Sequence, residues 1–287
     1  MKAKIFTVIA GTKACNAQCP YCISRMTPSC GVGLDVRNFN WRNFNKAAVL
    51  ADKSGVTTAL ITGKGEPTLF PEQISRIICE LDKHNFPIIE LQTNGIILDT
   101  HFPKYKKHLE DWYKNGLTTI AISIVHYKNK RNNIILPNYP VKLERLIARL
   151  HKIGFTVRFS CLLVKNYIHS TNDLIELIEF SRKNNVEQLS LRTLHAPNKP
   201  EDCNASKWIV KNKLPDKNLK DIYDFLRKNA VELMKTNYGA IVYDFNGQNV
   251  CVTNALTSQN EEEIRQLIFF PDGHLRYDWQ YKGAILL

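Results

Sequence analysis

Three cysteines carry the strongest chemical signal in this sequence. Cys15, Cys19 and Cys22 lie in the run CNAQCPYC, a C-x3-C-x2-C spacing just after an apolar segment that ends near Gly11. An iron–sulfur cubane takes thiolates at its irons, so three cysteines in one short loop serve three irons and leave the fourth open. An open iron is a site for binding and reaction, not only an electron carrier. A structural zinc site asks for four ligands, usually as two separated pairs, and the only further cysteine nearby is Cys30. The chain has eight cysteines, and the other five are scattered. Cys79 and Cys161 fall in apolar periodic segments and read as small core residues. Cys30, Cys203 and Cys251 carry no assigned role. Clustered cysteines in a chain of 287 residues point to metal or redox work and away from a disulfide framework.

Such a loop needs a scaffold, and the sequence describes one. Short runs rich in Val, Ile, Thr and Leu recur at 4–10, 57–63, 88–94, 118–125, 156–164 and 186–194. Near-continuous apolar runs of this kind are strands of a parallel sheet covered on both faces. Between them, apolar residues at helical spacing mark helices over 44–55, 71–85, 102–116, 141–154 and 171–185. Gly55 is a helix stop, Pro71 a first-turn residue, and Thr171 or Asn172 a candidate N-cap. Repeated strand–helix units give a parallel α/β layout, expected as an open partial (β/α)6 barrel over 1–195. After 195 the alternation stops. Residues 196–218 read as a loop, 219–237 as a helix, and 240–245, 248–254, 263–270 and 274–279 as strands with hairpin turns at Asn246-Gly247 and Pro271-Asp272-Gly273. The expectation for 196–287 is a C-terminal helix and a small β-rich extension appended to the barrel.

The cysteine loop and three later segments together resemble the radical S-adenosylmethionine (SAM) superfamily. TGKGEPTL (62–69) follows the second strand and is similar to that family's Gly-Gly-Glu-Pro motif. LQTNG (91–95) follows the third strand, and Ser123 lies in the fourth. The resemblance covers 4–195. It implies that Cys15, Cys19 and Cys22 ligate a [4Fe–4S] cluster and that Tyr21 lies beside the SAM adenine. Gly65, Glu66 and Pro67 would meet the methionine amino group, with the turn's backbone as the alternative to the Glu66 side chain. Thr93, Asn94 and Ser123 would face the ribose or carboxylate, with Ser160 in a polar role on strand five. It implies an enzyme that reductively cleaves SAM to a 5′-deoxyadenosyl radical, which takes hydrogen from a substrate, and an electron donor such as flavodoxin or ferredoxin. In layout the chain is similar to relatives of the molybdenum-cofactor GTP cyclase. It lacks the three C-terminal cysteines of a second cluster, so a single cluster is expected.

In a parallel barrel the site lies at the C-terminal ends of the strands. The substrate candidates there are Lys64, His126, Lys128, Arg158, Arg192 and His195, with Lys130, Arg131 and Lys165 in the same loops. Arg158 shares the strand parity of Ser160, and an inward guanidinium needs an anion. The net charge of +12, from 39 basic and 27 acidic residues, also favours anionic partners. The expected substrate is nucleotide-like or phosphorylated. A peptide or natural product is an alternative. So is a nucleic acid, docked through the six lysines of 199–220. No apolar run is long enough to cross a bilayer, and the start lacks a signal peptide's apolar core, so no membrane partner and a cytoplasmic location are expected.

Overall fold

The computed structural model describes residues 2–236, 239–253 and 264–287. Asn237, Asn254 and Glu263, assigned to elements from the sequence, lie outside them. Six strands, β1 (Ala3–Ala10), β2 (Thr58–Gly63), β3 (Ile88–Thr93), β4 (Thr119–Ile124), β5 (Thr156–Leu163) and β6 (Gln188–Thr193), pair in parallel in chain order. The helices between them are α1 (Ile23–Met26), α2 (Trp41–Lys53), α3 (Pro71–Leu81), α4 (Ile96–Thr100), α5 (Phe102–Lys114), α6 (Leu143–Ile153) and α7 (Thr171–Lys183). Each long helix turns its apolar face to the sheet. Ile74, Ile77, Ile78 and Leu81 of α3 and Leu143, Leu146, Ile147 and Leu150 of α6 are buried. Strand residues of one parity, such as Phe159, Cys161 and Leu163 of β5, pack beneath the helices, as the apolar runs require.

The C-terminal region differs from its expected form. It contributes α8 (Cys203–Asn212), α9 (Asp216–Asn229), β7 (Val231–Lys235), β8 (Ile241–Phe245), β9 (Gln248–Thr253), β10 (Ile264–Phe269) and β11 (Leu275–Arg276). Strand β9 adds in parallel to β6, and β10 adds in parallel to β1, so the sheet grows at both margins. The order is β11-β10-β1-β2-β3-β4-β5-β6-β9-β8-β7. These strands continue the same sheet, and no break in it falls at residue 195. The loop expected over 196–218 contains α8, capped by Asp202, whose carboxylate accepts from the amides of Asn204 and Ala205. Residues 231–235, expected as the end of a helix, form β7, whose β-branched start at Val231 follows the C-cap Ala230. The N-cap of α7 is Ser170, one residue before the expected pair, in a reciprocal capping box with Asp173.

Strand alternation leaves the other parity facing the barrel interior, where it is polar. Ser123, Ser160, Ser190 and Cys251 stand in one register row across β4, β5, β6 and β9. Below them, Arg158 of β5 pairs with Glu90 of β3.

Candidate active site

The cysteine loop begins where β1 ends. Gly11 turns at φ +74°, and a Cβ there would lie 2.6 Å from the Phe70 ring; its amide donates to Gln73 Oε1 at 2.6 Å. The chain then rises over the C-terminal ends of the strands. Cys15 is exposed, while Cys19 and Cys22 are half-buried. The Ala17 amide donates to Cys15 Sγ at 3.4 Å, and the Gln18 amide donates to the Ile135 carbonyl at 2.7 Å. Cys22 is the N-cap of α1. All eight cysteines are free thiols. Burial pushes the Cys19 thiol up to about 12, with the charge of Cys22 and then Cys15 adding to the shift. Burial also raises Cys15, with Glu66 and Cys22 contributing. The three thiols therefore share one electrostatic neighbourhood.

Among the described residues no three His, Cys, Asp or Glu side chains converge on a single ion. A cubane does not require that, because its protein ligands go to separate irons. Three free thiols on one loop, within electrostatic reach of one another, fit such a cluster. Its binding would release the protons that burial holds on Cys15 and Cys19.

The loop rests on the two turns singled out in the sequence. Gly65 comes so close that an added Cβ would lie 2.0 Å from the Ala14 carbonyl oxygen, and the Glu66 amide donates to that oxygen at 2.9 Å. The Glu66 side chain is buried, and protein donors surround its carboxylate. Its Oε1 accepts from the Thr68 amide at 3.1 Å, Thr68 Oγ1 at 2.6 Å and Thr93 Oγ1 at 2.6 Å; its Oε2 accepts from the Asn94 amide at 2.9 Å. Burial raises its carboxyl pKa, and these bonds offset part of the rise. Pro67 is buried at the head of a single 3-10 turn, Pro67–Leu69. Asn94 Nδ2 donates to Asn16 Oδ1 at 2.7 Å, inside the cysteine loop. Tyr139 donates its hydroxyl to the Asn94 carbonyl at 3.1 Å. The three motif segments thus form one hydrogen-bonded unit.

The other expected site residues divide. Tyr21 lies against the α8 residue Trp208, ring centroids 5.8 Å apart. Its phenol pKa is raised, first by burial and then by Cys19. Ser123 is exposed and Ser160 buried on the interior row. Arg158 already has its anion in Glu90, which removes the need for a substrate charge inferred from its parity. Arg192 has no such pair among the described residues. Its Nε is buried without a partner, and burial, followed by the like charge of Arg158, brings its pKa down to about 10. Lys64 is not open at the mouth: it is buried, its ammonium bonded to Thr27. His126 is buried, accepts the Lys128 amide at Nδ1 (3.0 Å) and packs on Tyr127. Burial and then Arg131 lower its pKa to about 4. Lys128 is drawn away to Glu176 at 3.8 Å. His195 is half-buried, and burial lowers its pKa.

Between the loops after β4 and β5 and the inner face of α8 lies a cavity of about 510 Å³, lined among others by Arg131, Lys165, Tyr167, Trp208 and Asn212. Arg131 donates to the Asn166 carbonyl and lies over the Tyr167 ring, 5.5 Å from its centroid. Trp208 links this cavity to Tyr21 and so to the cysteine loop. Sequence reasoning missed Trp208 and Asn212 because the Pro, Lys and Asn of 196–218 hid a helix. Asp202 ahead of Ala205 and Ile209, which share the buried face, is the signal that could have found it.

A family model for the radical SAM superfamily matches residues 9–189. The fold is similar to that of Streptococcus suis SuiB bound to S-adenosylmethionine, with TM-score 0.62 and 14% identity over 96% of this chain and 60% of that one. It is also similar to Escherichia coli coproporphyrinogen III oxidase (HemN), with TM-score 0.50 and 14% identity over 80% and 53%. Methylornithine synthase (PylB) aligns with TM-score 0.50 and 13% identity over 91% and 74%. The chain thus spans about 60% of the length of SuiB. No curated protein matches it.

Proposed function

The chain belongs to the radical SAM superfamily of enzymes, and on that premise we propose that Cys15, Cys19 and Cys22 hold its [4Fe–4S] cluster and that it takes hydrogen from an anionic, nucleotide-like or phosphorylated substrate. One observation carries the reading: the three thiols sit on a loop locked by hydrogen bonds onto the G-K-G-E-P and T-N-G turns, through Ala14 and Asn16. When bound, the cluster supplies the electron that cleaves SAM to a 5′-deoxyadenosyl radical. The protein's part is orientation and exclusion of water. The backbone of the Gly65 turn holds the cysteine loop at a fixed height, and Glu66 acts through Thr93 and Asn94 to set the turn beside it. Ser123 and Ser160 offer hydroxyls to SAM from the interior row, and Tyr21 offers an aromatic face.

The anionic substrate is supported by the cavity beside Trp208. Arg131 and Lys165 supply positive charge, and the indole supplies a stacking surface, a combination suited to a phosphorylated aromatic molecule. Arg192, whose Nε is buried without a hydrogen-bond partner among the described residues, adds a cation within the barrel. A flavodoxin or ferredoxin is the proposed electron source. A second reading, a peptide substrate, draws on β7. This edge strand exposes Val231, Leu233 and Met234, and an extended peptide could add to it. A structure of SuiB bound to the precursor peptide SuiA shows peptide binding by that protein.

The test is anaerobic reconstitution followed by measurement of 5′-deoxyadenosine with a panel of nucleotides and peptides. Wild type should show the cluster's visible absorption and cleave SAM fastest with one nucleotide. Cys19→Ala should lose both signals. Cleavage surviving in Cys19→Ala would sink the ligand assignment, and acceleration by peptides alone would transfer the reading to the second substrate class.

A further inference from the structure

Lys64 occupies the variable position of the G-K-G-E-P turn, and its surroundings are unusual for an ammonium. The residue is 6% exposed. Its Nζ donates to the Thr27 carbonyl at 3.2 Å and to Thr27 Oγ1 at 2.5 Å, both neutral oxygens. The Trp279 ring centroid lies 5.8 Å away. Among the described residues no carboxylate pairs with it. Glu201, the acid that acts on it from a distance, is engaged with Lys282 at 3.8 Å. Asp272, further along the same wall, is paired with Arg276 at 2.9 Å. A buried ammonium without a counter-charge is costly, and burial brings the Lys64 pKa down to about 8.

The place of this charge suggests what offsets it. Thr27 closes α1, the single turn that starts at Cys22: its amide donates to the Ile23 carbonyl at 3.1 Å and its hydroxyl to the same oxygen at 3.0 Å. Ser24 Oγ donates to the Gly63 carbonyl at 3.4 Å, fixing that turn against the residue before Lys64. The groups that favour the charged form of Lys64 are led by Cys30 and Cys22. The ammonium is therefore held at the end of the single turn that starts at the proposed ligand Cys22, away from the residues that line the substrate cavity. A cubane held by three thiolates is anionic and gains a further negative charge on reduction.

We infer that Lys64 is the counter-charge of the cluster: a positioning residue that stabilises the bound, reduced cubane and holds its reduction potential up. The inference rests on the reading of Cys15, Cys19 and Cys22 as cluster ligands. Of the neighbouring cations, Arg276 is bound to Asp272 and Lys282 to Glu201, and Lys13 is exposed to solvent, so among the described residues Lys64 is the buried one without a carboxylate.

The experiment is an EPR-monitored redox titration of the reconstituted full chain, with iron and sulfide counted per chain, on wild type, Lys64→Gln and Lys64→Arg. Lys106→Met, which removes an exposed charge paired with Glu110 on α5, is the control. Lys64→Gln should disfavour reduction by about tenfold, which for one electron is a midpoint ~59 mV more negative. Lys64→Arg and Lys106→Met should titrate with wild type. If Lys64→Gln keeps wild-type circular dichroism but takes up no cluster while Lys64→Arg does, the counter-charge is again supported. A Lys64→Gln cluster at the wild-type potential, or a Lys64→Arg variant sharing the glutamine variant's defect, overturns the inference. A wild-type chain that binds no cluster would instead remove the ligand reading beneath it.

Discussion

Replacing Glu66 by Gln tests whether the site is built around a buried carboxylate that works inside the protein. Glu66 receives four donors: Thr68 N, Thr68 Oγ1 and Thr93 Oγ1 at Oε1, and Asn94 N at Oε2. Glutamine preserves the shape but retains one accepting oxygen. In its better orientation the amide oxygen keeps the three donors of Oε1, and the new NH2 faces the Asn94 amide, donor against donor. A hydrogen bond to a charged acceptor contributes about 1.5–3 kcal/mol, and a buried unpaired donor costs about 1–3 kcal/mol more. Relief of the carboxylate's burial works in the other direction, so the net loss should be about 2–3 kcal/mol, read from urea unfolding of the cluster-free chain. The pH dependence gives a second check. Because the folded pKa of Glu66 is raised above the ordinary 4.5, the folded chain holds its proton more tightly than the unfolded one. That contribution is full below the unfolded pKa and is lost as pH rises through the folded value. The gap between wild type and Glu66→Gln should therefore be widest in acid and narrow as pH rises. A loss below about 0.5 kcal/mol would refute the clamp, and a gap that widens with pH would show that the four donors outweigh burial and would refute the raised carboxyl pKa.

Gly65→Ala places a Cβ 2.0 Å from the Ala14 carbonyl oxygen, a backbone atom of the cysteine loop that cannot rotate away. It should lower stability by about 1–3 kcal/mol and sharply reduce iron uptake on reconstitution; normal iron content would show that the close approach is dispensable. His126 has a folded pKa of about 4 against 6.5, so the unfolded chain binds the extra proton between those values and stability falls as pH drops through that window. The acid loss should reach about 3 kcal/mol in wild type and flatten in His126→Gln, which urea midpoints measured across the window would show.

The sequence and the fold agree where the physics is local and part company where it is not. The runs that became β1 to β6 are legible because a strand buried on both faces must be apolar along its whole length. The cysteine spacing is legible because one loop carries all three thiols. Partner choice is different. That β10 would pair with β1, matching Ile5 to Gln266 and Thr7 to Ile268, follows from no local pattern, so strands that read as an appendage belong to the sheet itself. The parity of Arg158 showed that it points inward, but only the curl of the sheet, which brings β3 across to β5, reveals that Glu90 meets it. Lys64 shows the same limit. A lysine in a glycine-rich turn reads as a rim cation, yet this side chain is buried and bonds Thr27 at the end of α1. Spacing identified the residues able to do chemistry; depth decided which charges remain free to act on a ligand. By that criterion Arg131, Lys165 and Arg192 keep a claim on the substrate, while Arg158, Glu66 and Lys128 have already spent their charge within the fold.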